Sequence, residues 1–309
     1  MDNIEIQIAI RNPCNYHCYY CVAQGSHDSQ LYIPIDLRKI ESFYSTFEGF
    51  SLTSFECGSG EPLLHPQFQD LLEICIKKGL VSIPTNNSLD PQKWLPSDPR
   101  KVYIRAALHP QSELDINSFI DRLLYAREKG ATITTLFVMH PKRIEKAKLY
   151  KDLFKKFDIS LTLAPFTGTF NGKEYPISYT EKERELVKEA NNWYQRLKMD
   201  VFCRNFKDIP CRAGRSLFYI TPSGNIQRCL YDKTEIKCPF ESAEPCKVDL
   251  CGCGLFLEKL HTQTSDFWAS WRKLAGLSYD DSKKSSDEEI YIKNKKIYMD
   301  LMKEYNKNV

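Results

Sequence analysis

The chain is 309 residues long, 42% hydrophobic, and nearly neutral, with 43 Lys and Arg against 40 Asp and Glu for a formal charge of +3. That length allows one large domain, or one with a smaller appendage, and the weak charge gives no argument for strong attraction to nucleic acid. No apolar run reaches the roughly eighteen residues of a membrane span, and the N-terminus reads as a strand rather than a signal segment, so a soluble cytoplasmic protein with no membrane partner is expected.

Taken in order, the first part of the chain alternates between apolar β-rich runs and amphipathic helical runs. Strands are expected over 4–10, 52–57, 81–85, 102–108, 132–139 and 159–164. Helices are expected over 36–47, 66–78, 116–129 and 142–157, with Gly79 and Gly130 as stops. Such a succession implies α/β architecture, a parallel sheet with right-handed crossovers. The stretch from Pro165 to Pro176 is rich in aromatics and turn formers, and it reads either as a lining of a substrate mouth or as a connector. A helix over 181–197 follows it.

Twelve cysteines fall into a tight N-terminal trio, a C-terminal crowd and a few isolated members, a grouping that in a reducing compartment favours metal binding over disulfides. The trio is Cys14, Cys18 and Cys21, in the loop leaving the first strand. Zinc structural sites close with four ligands, whereas a 4Fe-4S cluster on three thiolates keeps one iron open. The competing readings are a zinc site completed by His17 and three buried reduced thiols.

The CxxxCxxC spacing with Tyr20 before the last cysteine resembles the signature of the radical S-adenosylmethionine superfamily. Gly58-Ser59-Gly60-Glu61-Pro62 resembles its glycine-rich methionine-binding turn, with Ser59 where a glycine is usual. The resemblance implies a partial (β/α)6 barrel of parallel strands with its chemistry at the C-terminal strand ends. It implies that the amino and carboxylate groups of S-adenosylmethionine chelate the open iron, and that an electron from the cluster cleaves the sulfonium to methionine and a 5′-deoxyadenosyl radical. Tyr20 would pack near the adenine and Glu61 would accept from the ligand's ammonium. Thr85-Asn86-Asn87 stands where the family has a Thr-Asn-Gly turn, placing Asn86 beside the cofactor. Ala107 stands where a serine is frequent, so a contact to the cofactor's carboxylate must come from elsewhere, with Arg105 and His109 at hand.

From about residue 200 the text changes character. Cys211 and Cys229 flank a β-hairpin turning at Ser223-Gly224, and the run Cys-x12-Gly-x4-Cys resembles the start of the SPASM and twitch extensions that hold auxiliary 4Fe-4S clusters. The resemblance implies one such cluster on Cys211 and Cys229 with two of Cys246, Cys251 and Cys253. A zinc knuckle on the same thiols is the alternative. Cys75 reads as a buried inert thiol, while Cys203 and Cys238 are left over as possible hydrogen-atom donors or plain free thiols. The expected organisation is a core over 1–170, a connector and helix over 171–199, a small cysteine-rich extension containing the β-hairpin over 200–276, and a linker with a C-terminal helix over 277–309.

The expected function is abstraction of a hydrogen atom from a small-molecule or peptide substrate, with electrons from flavodoxin or ferredoxin and a net oxidation where the auxiliary cluster accepts an electron. No catalytic side chain is assigned. The alternatives are maturation or epimerisation of a ribosomal peptide, tRNA modification, and a non-catalytic metal-stapled binding protein.

Overall fold

The structure is a computed structural model. It describes residues 4–11, 13–21, 32–47, 51–190, 206–237, 242–248 and 287–305. Cys203, Cys238, Cys251 and Cys253 lie outside these, as does the continuation of the helix from 191 to 197.

The strands are β1 (Ile4–Arg11), β2 (Ser51–Ser59), β3 (Gly79–Thr85), β4 (Val102–Ala107), β5 (Thr132–Met139) and β6 (Leu161–Pro165), each at an expected place. Between them run α1 (Leu37–Ser45), α2 (Phe68–Lys78), the short α3 (Pro110–Glu113), α4 (Ile116–Glu128) and α5 (Ala147–Lys155). Later come the hairpin strands β7 (Gly168–Phe170) and β8 (Lys173–Tyr175), helix α6 (Glu181–Ala190), and strands β9 (Pro210–Cys211), β10 (Leu217–Ile220), β11 (Ile226–Gln227) and β12 (Glu244–Pro245). The main sheet has eight strands in the order β11-β10-β1-β2-β3-β4-β5-β6. Strands β1 to β5 are parallel, as crossover helices require. The C-terminal hairpin is present as β10 and β11, and its first strand adds in parallel to β1. None of the described helices is long and apolar enough to cross a membrane.

The chain divides into two compact units, and the division falls inside β5. The first holds residues up to Phe137 together with 216–228 and 234–237; the second holds Val138–Arg215, Cys229–Lys233 and Cys238–Val309.

In the first unit the two faces of the sheet have opposite chemistry. Ile6 stands in register with Thr53 and Phe218. Thr53 hydrogen-bonds Tyr44 of α1, whose hydroxyl also reaches Cys75 Sγ of α2 at 3.5 Å, and Phe218 packs edge-on against Phe43 of α1. This face is the helix-covered core, and burial there pushes the Cys75 thiol up to about 12, as an inert thiol should be. α2 supplies Phe68, Leu71, Leu72, Cys75 and Ile76 at helical spacing, all buried. α1 and α4 start on Asp36 and Asp115, whose carboxylates accept the N–H groups of Lys39 and Ser118.

Residues alternate across a strand, so the other face carries the intervening positions. Its lower layer, toward the strand N-termini, is Leu217, Glu5, Leu52 and Leu80 in register. The next layer is polar throughout: Tyr219, Gln7, Ser54, Ser82, Tyr103 and Thr132. A parallel sheet packed on both sides would be aliphatic on both. The polar layer sets this face of the sheet apart from the helix-covered one.

The second unit contains the aromatic stretch, and it forms an ordered β-hairpin rather than an irregular connector. Asn171 and Gly172 at its tip have φ of 48° and 72°, the left-handed pair that a two-residue hairpin turn demands. Tyr179 ties the hairpin to β5: its hydroxyl accepts the Phe166 N–H at 2.7 Å and donates to Met139 O at 2.6 Å. His140 lies between Phe166 and Phe170, with ring centroids 4.6 and 4.7 Å away.

Gly79 joins α2 directly to β3, and a Cβ there would meet the Ser51 carbonyl oxygen at 1.9 Å. Backbone cannot step aside at that distance, so Gly79→Ala should cost about 3 kcal/mol in urea unfolding. Gly172→Ala, whose Cβ meets nothing within 4 Å, should cost only the left-handed backbone preference of about 1 kcal/mol. Equal midpoints for the two variants would contradict this packing.

Candidate active site

The cysteine loop leaves β1 and is anchored to the C-terminal ends of β2, β3 and β4. The Glu61 N–H donates to Pro13 O at 3.2 Å, so the glycine-rich turn holds the loop by its backbone. Cys21 N–H donates to Cys18 O at 3.0 Å, which closes the loop as a tight turn. Cys14, Cys18 and Cys21 are all free thiols, with Cys18 buried and the other two half-buried.

Cys14 Sγ accepts the Tyr16 N–H at 3.4 Å and the Asn86 side-chain amide at 3.8 Å. Burial raises its thiol, the Tyr16 N–H opposes that, and the nearby Glu61 charge adds to the rise. The Cys18 thiol donates to Gln111 Oε1 of α3 at 3.6 Å. These donors and the soft sulfurs fit a cluster ligated by thiolate and tuned by hydrogen bonds to sulfur. Among the described residues no three His, Cys, Asp or Glu side chains converge as the ligands of a single ion would. A four-iron cluster, with one thiolate on each of three irons, does not impose that convergence.

Glu61 is the buried centre of the turn. Its Oε1 accepts the Thr85 hydroxyl at 2.8 Å and the Leu63 N–H at 3.2 Å, and its Oε2 accepts the Asn86 N–H at 2.6 Å. The expected ammonium contact would therefore add to a carboxylate already used to join the β2 turn to the end of β3. Gly60, with φ of 90°, supplies the left-handed step before it. Gly58 and Ser59 end β2, where Ser59 stands in register with Arg11 across an irregularity in β1. Asn86 reaches Asn15 Oδ1 at 2.8 Å as well as Cys14, so the third strand end faces the cysteine loop. Asn87 takes φ of 57° where the family's glycine stands, a conformation asparagine tolerates better than most residues.

Tyr20 is buried, and its hydroxyl shares a hydrogen bond of 2.9 Å with His109 Nδ1, the two rings stacking at 6.0 Å. His109 thus orients the aromatic of the motif. Arg105 turns away from the strand end and donates from Nη2 to Ser54 Oγ at 3.0 Å. Asn15 and Gln111 were not marked by the sequence: each is an ordinary polar residue until the fold sets it against a sulfur or its partner.

In the second unit, Cys211 on β9 pairs with Glu244 on β12, and Cys246 donates its N–H to Ile209 O at 2.9 Å. Cys229 Sγ accepts the Asp232 N–H at 3.1 Å. Burial pushes the Cys211 thiol up to about 12, and Cys246 and Cys229 are near enough to add to the rise. Three of the five candidate auxiliary ligands therefore lie in one neighbourhood.

No family model matches the chain. Solved structures share its architecture. Native anSMEcpe with bound AdoMet and the Cp18Cys peptide aligns over 97% of each chain with a TM-score of 0.56 and 14% identity. Native anSMEcpe with bound AdoMet aligns over 96% of each chain, with a TM-score of 0.52 and 13% identity. Streptococcus suis SuiB bound to precursor peptide SuiA aligns over 84% of this chain and 66% of its own, with a TM-score of 0.52 and 16% identity. The chain shares the fold of these structures.

Burial pushes the Glu61 carboxyl up from 4.5 to about 7, against the donors from Asn86, Thr85 and Leu63 that favour its anion. In the cluster-free chain the folded state keeps this proton across a range where the unfolded state has lost it. Stability from this group is therefore greatest below about pH 4.5, falls as pH rises toward 7, and is level above. Glu61→Gln should abolish a fall of roughly 3 kcal/mol at most, read as the difference between the two proteins' unfolding free energies at acid and neutral pH. Parallel pH profiles would mean that the carboxyl is ionised throughout.

Proposed function

We propose that the chain is a radical S-adenosylmethionine enzyme whose cofactor site is built by Cys14, Cys18, Cys21, Tyr20, Gly58, Ser59, Gly60, Glu61 and Asn86. The observation that carries this reading is the three free thiols of one loop held by hydrogen bonds to the glycine-rich turn and the end of β3, on a fold shared with AdoMet-bound structures. A 4Fe-4S cluster on the three thiolates would supply the electron that splits S-adenosylmethionine and yields the radical that takes a hydrogen atom from substrate.

The chain's own part is to position and to exclude. Asn86 and the Tyr16 N–H donate to Cys14 sulfur, which stabilises its thiolate form. Glu61, once ionised, offers a carboxylate to the cofactor's ammonium, and its buried setting strengthens that attraction. Tyr20, fixed by His109, presents an aromatic face beside the cysteines. Cys211, Cys229 and Cys246, with Cys251 or Cys253, are the proposed holders of an auxiliary 4Fe-4S cluster, and flavodoxin or ferredoxin in the cytoplasm is the proposed reductant. A peptide substrate is favoured over a small molecule, because the structures of similar fold include complexes with the Cp18Cys and SuiA peptides.

Anaerobically reconstituted protein should hold about eight irons, falling to about four when Cys14, Cys18 and Cys21 are replaced by alanine, with formation of 5′-deoxyadenosine abolished. Zinc in place of iron, or full clusters without cleavage under strong reductant, would overturn the reading. Cofactor affinity should rise with pH as Glu61 ionises through about 7 and then level, a slope absent in Glu61→Gln.

A further inference from the structure

Arg105 is a cation that the site described above leaves unused. It lies on β4 in register with Pro84 and Thr134, on the polar face of the sheet and one pleat below the strand end at Ala107. Its side chain reaches over β3 to Ser54 on β2, a passage kept open because the intervening residue of that layer is the small Ser82. The bond to Ser54 uses one N–H of Nη2, and the buried Nε–H has no acceptor. No ion pair to Arg105 is found among the described residues.

A half-buried guanidinium with a single neutral partner is costly, and the cost is relieved by an anion. The surrounding layer is made for a polar guest rather than for packing. Tyr103 and Thr134 are hydrogen-bonded to one another beside the guanidinium, Gln7 and Ser54 continue the layer, and Leu52 and Leu80 floor it. Nothing in this arrangement makes Arg105 necessary to the fold, since its one bond is to a hydroxyl.

We propose that Arg105, with Ser54 beside it, is the seat of an oxyanion, a carboxylate or phosphate carried by the substrate, and so selects acidic substrates at this polar face of the sheet. This rests on the proposed enzyme reading for what happens next but not for the binding itself. A substrate held through its acid at Arg105 would be anchored below the strand-end site, leaving its other end toward the cysteine loop. An acidic side chain or a C-terminal carboxylate would meet the requirement in a peptide.

The test is calorimetric titration of the reconstituted full chain with glutarate and, separately, with inorganic phosphate, using glutaramide as the uncharged control. One or both anions should bind and glutaramide should not, the stronger one identifying the group. Arg105→Met should weaken binding at least about tenfold, and Arg105→Lys, which keeps the charge but loses the planar fork, should be intermediate. Thermal unfolding separates this from a structural role: Arg105→Met should melt at or above the wild-type temperature and lose the upward shift that the bound anion gives the wild type. If Arg105→Met does not fold, the reduced affinity of folded Arg105→Lys carries the test.

Anion binding that is absent in the wild type, or unchanged in the variants, would overturn the proposal. So would an equal loss of S-adenosylmethionine affinity, which would place the cofactor's own carboxylate at Arg105. A protein that binds glutarate through Arg105 but never cleaves S-adenosylmethionine would overturn the functional reading alone, and the reverse result would overturn the anion seat alone.

Discussion

Burying the Glu61 carboxylate ties together what would otherwise be three independent loops. Its two oxygens take donors from Leu63 in its own turn and from Thr85 and Asn86 at the end of β3, while its backbone N–H holds Pro13 at the start of the cysteine loop. A buried carboxylate is tolerated only when such donors surround it. The same requirement that satisfies one acid therefore fixes the distance between the loop bearing the thiols and the glycine-rich turn. Asn86 extends the network to Asn15 and Cys14, so the cysteine loop is held on both its backbone and its side chains.

This arrangement accounts for what the sequence disclosed and what it withheld. The strands from β1 to β5 were legible because apolar periodicity reports burial, and burial on the helix face is what the structure has. The polar alternate positions were in the same text: Glu5 and Gln7 between the isoleucines of β1, and Tyr103 and Arg105 between Val102, Ile104 and Ala106, already describe a two-faced sheet. The expected helix over 142–157 begins late because the His140 ring and carbonyl take the N–H groups of Lys142 and Arg143, which turns the chain before Ala147. The β7–β8 hairpin has a local signal of its own in the sequence. Asn171-Gly172 between β-prone residues is among the strongest local turn signals, although the composition of 165–176 as a whole is that of a loop.

What could not be read was which residues meet across the chain. Gln111 touches Cys18, and Asn15 touches Asn86, through contacts that no local pattern encodes. The cysteine spacing points to metal chemistry because sulfur is rare and its grouping is improbable by chance. Hydrogen-bonding residues around it are common, and only the fold assigns them. The same holds for the second cysteine group, where β12 returns to pair with β9 and brings Cys246 beside the strand of Cys211.

The parallel pairing of β10 with β1 has a bearing on how the chain is made. On the ribosome β1 emerges first, yet its outer neighbour is encoded about two-thirds of the way along, after every strand from β2 to β6 has been synthesised. For that interval the nascent chain carries an unpaired edge rich in isoleucine, the kind of surface that recruits another chain. Chaperone demand and yield in overexpression should therefore be governed by how quickly residues 217–220 reach β1.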